Sequence, residues 1–364
     1  MNILICPDKF KGSLSAHEAA EALAKGILNK RKKSSIQCIP LADGGEGTLE
    51  VVQQMHGGQW ISVQVNDPLF RPIEASYLWL ADQKTAYIEM ARASGLGLLL
   101  KKEQNPLKTS TFGTGELIRH AAEAGATSIV LTIGGSATND AGIGMAAALG
   151  YSFLDASGAA LEPIGSALEK ITEIKGSNPY PHIQFIVLSD VSNPLHGTQG
   201  AAQVYAKQKG ANVTMIKQLD KGLINISKWL SADMPGAGAA GGLGAGAVYF
   251  LGATLEPGAE WLLNKIHINR AIRKADFIIT GEGKIDQQSW SGKLVSNIVD
   301  RADKQLKQSI LVCGLFEDPE KIPLFLDPRD VYSITDVATS SKDAMENAAL
   351  YLTQIGEAIA LKYL

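Results

Sequence analysis

The sequence predicts an α/β protein in which a doubly wound parallel-sheet domain carries a second, inserted α/β domain with a mixed sheet. Short unbroken apolar runs alternate with helical patterns along most of the chain, as in parallel sheets covered by helices. Residues 63–91 instead show strand-like alternation broken by turn residues, which indicates antiparallel or mixed sheet. The length of 364 residues favours about two domains.

The N-terminal segment predicts the first strand, a charged turn and the first helix. Residues 2–6 form a short apolar run typical of a buried strand. Ser15 and Glu18 have the spacing of a capping box, and the small and apolar residues from Ala16 to Ile27 share one helical face. The turn "PDKFKG" therefore lies at the carboxyl end of a strand, the edge at which open α/β sheets bind ligands.

The same order of strand, polar turn and helix recurs along the chain. Further strands are predicted at 36–41, 128–133, 184–188 and 276–280, followed by the turns "ADGGEGT", "GGSATND", "SDVSNPL" and "GEGKIDQQSWSGK". Two more buried strands are predicted in 309–315 and 330–336, before a closing helix at 341–363. We therefore expect residues 1–65 and 275–364 to form a discontinuous Rossmann- or flavodoxin-like domain, with 66–274 inserted as the second domain, which carries the Gly-rich loops.

Composition excludes several classes of function. A formal net charge of −3 without a basic surface region argues against binding of nucleic acid or anionic membrane. The three cysteines include no Cys-x-x-Cys pair and the six histidines show no ligand spacing, which predicts a reduced, cytoplasmic protein without structural zinc. The uncharged segment 236–255 is rich in glycine and alanine, so we expect tight internal packing or a loop close to a ligand rather than a membrane span.

The first two strand-end turns carry charged residues beside glycines. Asp8 and Lys11 follow the first strand, and Asp43 and Glu46 follow the second. Carboxylates suit a divalent cation or a substrate hydroxyl, and lysine suits a carboxylate or phosphate. The alternative is a pair of solvated turns with one surface ion pair, which contributes little.

Two turns of the predicted inserted domain carry further candidates. In "GGSATND", the backbone N–H groups of a helix start and the hydroxyls of Ser136 and Thr138 suit a phosphate. The alternative there is N-capping by Asn139 or Asp140. In "SDVSNPL", a carboxylate directly after a strand suits proton acceptance or metal binding, and an Asx turn before proline is the alternative.

The later turns are less specific. "GEGKIDQQSWSGK" places acidic and basic residues around flexible glycines but lacks the Walker A spacing. "GAGAAG" at 236–241 matches a dinucleotide-binding pattern, although no strand pattern precedes it. Arg71 offers a bidentate donor to a small anion. From the residues alone, we expect an α/β enzyme that handles a small hydroxylated anion, with phosphate chemistry.

An ordered set of motifs resembles the type-1 glycerate kinases and spans almost the whole chain: "PDKFKGSLSA", "LADGGEGT", "DPLFRP", "IEMARASGL", "TFGTGELI", "IGGSATND", "SDVSNPL", "QKGA", "PGAGAAGGLGAG" and "ITGEGKID". The resemblance implies ATP-dependent, Mg²⁺-requiring phosphorylation of D-glycerate, most often to 2-phosphoglycerate. It also implies a two-domain α/β fold with the active site in the interdomain cleft.

On the motif positions we assign roles to individual residues. The catalytic residues are Asp190 and Lys11. The substrate-binding residues are Asp8, Gly44, Gly45, Arg71 and Asn193. The nucleotide-binding residues are Gly134, Gly135, Ser136, Thr138, Gly281, Glu282, Gly283 and Asp286. The metal ligands are Asp43 and Glu46. The chain departs from the family pattern at Lys9, where such proteins usually carry serine, and the departure alters the charge beside the substrate carboxylate.

Two other classes of function remain open at the level of sequence. An NAD-dependent hydroxyacid dehydrogenase would use the glycine-rich segment, and a non-enzymatic glycerate sensor would need no ATP. We expect glycerate and ATP as partners, with neither nucleic acid nor membrane. The sequence leaves open whether 3-phosphoglycerate is the product and whether the chain forms a homodimer.

Overall fold

The computed structural model describes residues 1–42, 44–45, 47–290, 294–317 and 326–363. In chain order, the strands are β1 (Asn2–Ile5), β2 (Ser35–Cys38), β3 (Gln59–Asn66), β4 (Pro72–Leu80), β5 (Thr85–Glu89), β6 (Ser128–Thr132), β7 (Ser152–Leu154), β8 (Glu173–Lys175), β9 (Gln184–Leu188), β10 (Thr254–Glu256), β11 (Phe277–Ile285), β12 (Gln308–Phe316) and β13 (Val331–Ser333). The helices are α1 (Ala16–Lys30), α2 (Thr48–His56), α3 (Ala91–Ser94), α4 (Phe112–Glu123), α5 (Ile143–Ala148), α6 (Ala201–Tyr205), α7 (Val213–Ile226), α8 (Ala239–Leu251), α9 (Gly258–Lys265), α10 (Ile268–Lys274), α11 (Leu294–Asp303), α12 (Ser341–Glu346) and α13 (Ala348–Tyr363).

The chain divides into two compact units. The first comprises Met1–Asp43 with Ala259–Leu364, and the second comprises Gly44–Gly258. Residues 44–65, which the sequence analysis grouped with the first domain, lie in the second unit because β3 pairs along its length with β4. Helices α9 and α10 precede the predicted boundary at 275, yet they belong almost wholly to the first unit, where α10 packs on β1 and α11.

The first unit is built on a five-stranded sheet in the order β13-β12-β11-β1-β2, in which every pair is parallel. Ile310 and Val312 pack with α1 and α13, whereas Leu311 and Cys313 pack with α11. Because successive residues of a strand face opposite sides, helices cover both faces of this sheet. The prediction of a doubly wound parallel sheet is confirmed.

The first helix forms as its sequence predicts. The Glu18 N–H donates to Ser15 Oγ and the Ser15 N–H donates to Glu18 Oε2, which completes the capping box. The apolar face of α1 packs against α13 in the core. The two helices approach so closely at Gly26 that a Cβ there would lie 2.0 Å from the carbonyl oxygen of Thr353.

The second unit contains a six-stranded sheet in the order β10-β9-β6-β5-β4-β3. Strands β5, β6, β9 and β10 are parallel, and β3 and β4 extend the sheet as antiparallel strands. This confirms the mixed sheet predicted from the alternation in residues 63–91. A separate antiparallel pair is formed by β7 and β8.

The glycine-rich segment forms the buried helix α8. Its first turn contains left-handed residues at Ala240, Gly241 and Gly242, and α8 packs on α5 and α6. A Cβ at Gly241 would lie 2.2 Å from the carbonyl oxygen of Thr138, so the segment serves tight internal packing, one of the two expected alternatives. Among the described residues, no helix combines the length and apolarity that crossing a membrane would require.

Candidate functional site

In the first unit, the charged turn of the N-terminal motif lies beside the start of the "GEGKID" motif. The Asp8 N–H donates to the carbonyl oxygen of Gly281 at 2.8 Å, and Asp8 Oδ1 accepts from the Lys9 N–H at 2.7 Å. A Cβ at Gly283 would lie 3.1 Å from the backbone nitrogen of Lys11. The strand order reverses between β1 and β11, which makes this edge the topological switch point of the sheet, the usual place for a ligand.

The "GEGKID" motif differs from its prediction as a flexible turn. β11 continues to Ile285 because it pairs with β12 as far as Phe316. A Cβ at Gly281 would lie 1.6 Å from the Val312 carbonyl oxygen, so glycine is required by the neighbouring strand. Glu282 and Gly283 therefore lie within a strand, and Asp286 follows directly after it.

In the second unit, the turn after residue 43 lies over the carboxyl ends of two strands. A Cβ at Gly134, just beyond β6, would lie 3.0 Å from the Cα of Gly45. A Cβ at Gly44 would lie 3.6 Å from the Cβ of Leu188, the last residue of β9. The turns around 44–45, 134–135 and 189–190 thus share one edge of the mixed sheet. The predicted metal ligands Asp43 and Glu46 lie outside the described residues.

A buried carboxylate that the sequence analysis did not assign holds the start of α2. Glu89 Oε1 accepts from the N–H groups of Gly47 at 3.0 Å and Leu49 at 3.3 Å. Glu89 Oε2 accepts from Arg92 Nε at 2.9 Å, and Arg92 also pairs with the exposed Glu50. Burial raises the pKa of Glu89, and Arg92 opposes that shift. The i,i+3 spacing of Glu89 and Arg92 was the signal available in the sequence.

The "GGSATND" segment does not open directly into a helix. α5 begins only at Ile143, and the fully buried Asp140 accepts from the N–H groups of Gly142 and Gly144. Asp140 also accepts from the backbone N–H of Thr111 at 2.7 Å and from its hydroxyl at 2.8 Å. The expected helix start for a phosphate is therefore occupied by Asp140, which is the capping alternative that the sequence left open.

A second residue that the sequence analysis missed, Lys209, forms hydrogen bonds with this segment. Its side chain is buried, and Nζ donates to Ser136 Oγ at 2.7 Å and to the Thr138 carbonyl oxygen at 2.6 Å. Burial lowers the pKa of Lys209 to about 7. Within the segment, Gly134 and Gly135 are exposed, whereas Ser136 and Thr138 are buried. The "QKGA" motif contains Lys209, but nothing local to that motif indicated its partner.

The residues after β9 have different environments. Asp190 is exposed and lies two residues beyond Leu188, the last residue of β9. Asn193 is part of the loop's own bonding, because Nδ2 donates to the Gln199 carbonyl oxygen at 2.8 Å and Oδ1 accepts from the Tyr205 hydroxyl at 2.6 Å. The Asn193 side chain therefore links residue 199 of the loop to Tyr205 of α6.

Arg71 lies in the turn between β3 and β4. Its Nε donates to Asp67 Oδ2 at 2.6 Å, and its Nη1 donates to Glu103 Oε1 at 2.9 Å. Phe70, directly before it, has a left-handed φ of 60° and its ring packs on Phe112. The guanidinium is thus held in one orientation while its side chain stays 45% exposed.

Comparisons with known proteins agree with this architecture. The family model described as the glycerate kinase family matches residues 3–364. A protein named glycerate kinase from Halalkalibacterium halodurans is 40% identical over 365 residues, covering 95% of this chain and 96% of the relative. A protein named glycerate 2-kinase from Escherichia coli K12 is 41% identical over 328 residues, covering 87% and 86%.

A solved structure gives the same result. A crystal structure from Salmonella typhimurium LT2, provisionally described as glycerate kinase 2, superposes with a TM-score of 0.83 at 37% identity. It covers 99% of this chain and 97% of that chain. The match of sequence and fold over nearly the full length shows that this chain belongs to the glycerate kinase family of enzymes.

Proposed function

We propose that the chain transfers the γ-phosphoryl group of ATP to D-glycerate and releases phosphoglycerate and ADP. The observation that carries this proposal is the packing of the 44–45 turn against Gly134 and Leu188 in the second unit. It brings three strand-end turns to one sheet edge, where open α/β sheets bind ligands. Phosphoryl transfer depends mainly on positioning and on neutralising charge, which such turns can supply.

Asp190 is the proposed general base. Its exposed position two residues beyond β9 supports contact with a substrate hydroxyl. In the proposed step, the glycerate hydroxyl oxygen attacks the γ-phosphorus, its proton passes to the Asp190 carboxylate, and the bond to the ADP oxygen breaks. The exposed backbone at Gly134 and Gly135 is the proposed contact for the ATP phosphates.

Arg71 and Lys11 are proposed to bind the glycerate carboxylate. The bonds from Arg71 to Asp67 and Glu103 hold its guanidinium plane in one orientation before substrate arrives. Gly44 is buried, and a Cβ there would lie 2.7 Å from the Cα of Gly258, so packing accounts for this glycine and its substrate-binding role, like that of Gly45, remains a prediction. The roles assigned to Asp8, Asn193, Glu282 and Asp286 remain predictions.

The proposed Mg²⁺ would be held by Asp43 with Glu46 or Asp8. Kinases hold this ion through one or two carboxylates together with the substrate phosphates, so a single strand-end carboxylate such as Asp8 fits the role. When bound, the ion would neutralise charge on the transferred phosphoryl group. Among the described residues, no cluster of three or more His, Cys, Asp or Glu side chains could bind a metal.

The structure does not support the dehydrogenase alternative, because its glycine-rich motif does not form a nucleotide-binding turn. "GAGAAG" at 236–241 ends inside the first turn of α8, and a Cβ at Gly241 would clash with the Thr138 carbonyl oxygen. Its glycines therefore serve packing rather than a turn that binds a pyrophosphate.

We propose 2-phosphoglycerate as the product, which the name of the E. coli relative supports.

The decisive experiment measures ADP release with ATP and Mg²⁺ over a panel of small hydroxyacids, followed by phosphorus NMR of the product. The proposal expects glycerate to be the best substrate and 2-phosphoglycerate to be the product. If none of the hydroxyacids in the panel supports ADP release, the proposed function is refuted. A 3-phosphoglycerate signal would refute the proposed regiochemistry alone.

The same assay tests the general base. Asp190→Asn should lower kcat by about 10²- to 10⁴-fold, the usual contribution of a general base. Asp82→Asn is the matched control, because Asp82 is also exposed but precedes β5 at the opposite edge of the sheet. A loss of less than about tenfold in Asp190→Asn would assign that residue another role.

The glycerate carboxylate site has its own test. Arg71→Ala should raise the KM for glycerate by about 10- to 100-fold, as expected for losing a charge-assisted contact. Arg119→Ala is the control, since the Arg119 side chain is also 45% exposed and paired with a glutamate. An unchanged glycerate KM in Arg71→Ala would remove Arg71 from the proposed carboxylate site.

A further inference from the structure

We propose that Lys209 is a positioning residue for phosphate binding at the 134–136 turn and acts through the hydroxyl of Ser136. This inference rests on the proposed function, because the phosphate in question belongs to ATP. The Lys209 ammonium contacts the turn directly, because it donates to Ser136 Oγ at 2.7 Å and to the Thr138 carbonyl oxygen at 2.6 Å.

Burial of the Lys209 ammonium carries an energetic cost. The side chain is 2% exposed, and burial lowers the pKa of Lys209 although the carboxylate of the buried Asp140 opposes that shift. The two hydrogen bonds and Asp140 offset only part of the cost of burying this charge, since the pKa of Lys209 remains lowered. An apolar residue of similar size would be neutral or stabilising for folding. The lysine therefore calls for an explanation other than stability.

The hydrogen bond from Lys209 orients the hydroxyl proton of Ser136. In its charged form Lys209 can only donate, so in that form Ser136 Oγ accepts the bond from it. The Ser136 hydroxyl proton then points away from Lys209 and is available to another acceptor. Exposed Gly134 and Gly135 directly precede Ser136, so an oxygen of a ligand bound at this turn is the acceptor that we infer.

The polar groups around Lys209 differ in whether they already have hydrogen-bond partners. The start of α5 is already bonded to Asp140, so the helix itself does not supply donors to a ligand. The hydroxyl of Thr138 is fully buried and has no hydrogen-bond partner among the described residues. Because burial holds the pKa of Lys209 near 7, an anion at the turn would stabilise its charged form.

The experiment compares wild type with Lys209→Met, Ser136→Ala and the double variant. Calorimetry measures the Kd of a non-hydrolysable ATP analogue with Mg²⁺, and kinetics give the KM for ATP and for glycerate. Lys207→Met is the matched control, because it makes the same substitution at an exposed lysine two positions away. Thermal melting verifies folding, which Lys209→Met should preserve because the unbranched, apolar methionine fills most of the volume of the lysine side chain.

Lys209→Met should raise the Kd of the analogue about 10- to 100-fold, while the KM for glycerate changes less than about threefold. Ser136→Ala should weaken analogue binding in the same direction. The double variant should bind within about twofold of Lys209→Met, because residues that act through one another are not additive. Lys207→Met should bind as wild type does.

Three outcomes would overturn the inference. A Kd for Lys209→Met within about twofold of wild type would remove Lys209 from phosphate binding. Effects that multiply in the double variant would show that Lys209 does not act through Ser136. A rise confined to the glycerate KM would reassign the turn to the other substrate. Wild type that binds no analogue would instead refute the proposed function and, with it, this role.

Discussion

Replacing Glu89 by glutamine should loosen the start of α2. The carboxylate accepts the N–H groups of Gly47 and Leu49 and one bond from Arg92, all in a buried position. Glutamine keeps the shape but carries no charge, so the bonds to both N–H groups become neutral. Its amide nitrogen would also face the Arg92 donor.

The magnitude follows from the contacts. Each charge-assisted bond exceeds a neutral one by about 1 kcal/mol, and loss of a negative charge at a helix N-terminus costs about 0.5 to 1 kcal/mol more. The desolvation that raises the pKa of Glu89 offsets part of this loss. We expect local opening of α2 to become easier by about 2 to 3 kcal/mol, which is roughly 30- to 150-fold faster exchange of its amides.

Peptide-resolved hydrogen exchange over residues 47–56 measures this effect without requiring the whole chain to unfold in one step. Glu50→Gln is the matched control, because Glu50 pairs with the same Arg92 but its side chain is 55% exposed. An exposed pair contributes about 0 to 1 kcal/mol, and the exposed Glu50 charge in the first turn of α2 adds about 0.3 kcal/mol, so the control should change exchange less than about tenfold. Equal exchange in the two variants would refute the reasoning that burial of Glu89 makes it the anchor.

Three further predictions concern stability. Asp140→Asn should lower the free energy of unfolding by about 3 to 5 kcal/mol in denaturant titrations, because the amide cannot accept from all the buried donors, Thr111 among them; a loss below about 1 kcal/mol would contradict this role. The pKa of Lys209 is lowered from 10.5 to about 7 on folding, so between these values the unfolded chain binds more protons. Wild-type stability should therefore rise with pH relative to Lys209→Met, by up to about 1.4 kcal/mol per pH unit above pH 7, and a constant difference would refute the shift. Gly26→Ala should destabilise by at least about 1 to 3 kcal/mol, because its Cβ would meet the Thr353 carbonyl oxygen, and an unchanged melting temperature would show that α1 and α13 separate freely.

Local patterns predicted most of the framework. The apolar runs at 184–188 and 128–133 became β9 and β6, and the Ser15 capping box began α1 where expected. These features depend on neighbouring residues, so they can be inferred without knowledge of the fold. The extension of β11 to Ile285 was missed, because its glycine-rich sequence is typical of a turn and only pairing with β12 makes it a strand.

Parallel α/β character, a mixed sheet and the strand-end turns that carry polar groups can all be inferred from the amino-acid sequence. Those properties are encoded in periodicity and in the residues next to each strand. The pairing of the buried polar groups, by contrast, becomes visible only in the folded chain. Asp140 bonds with Thr111 across 29 positions, and Lys209 bonds with Ser136 across 73. Such pairings depend on which groups lose water together during folding, and no local pattern records that.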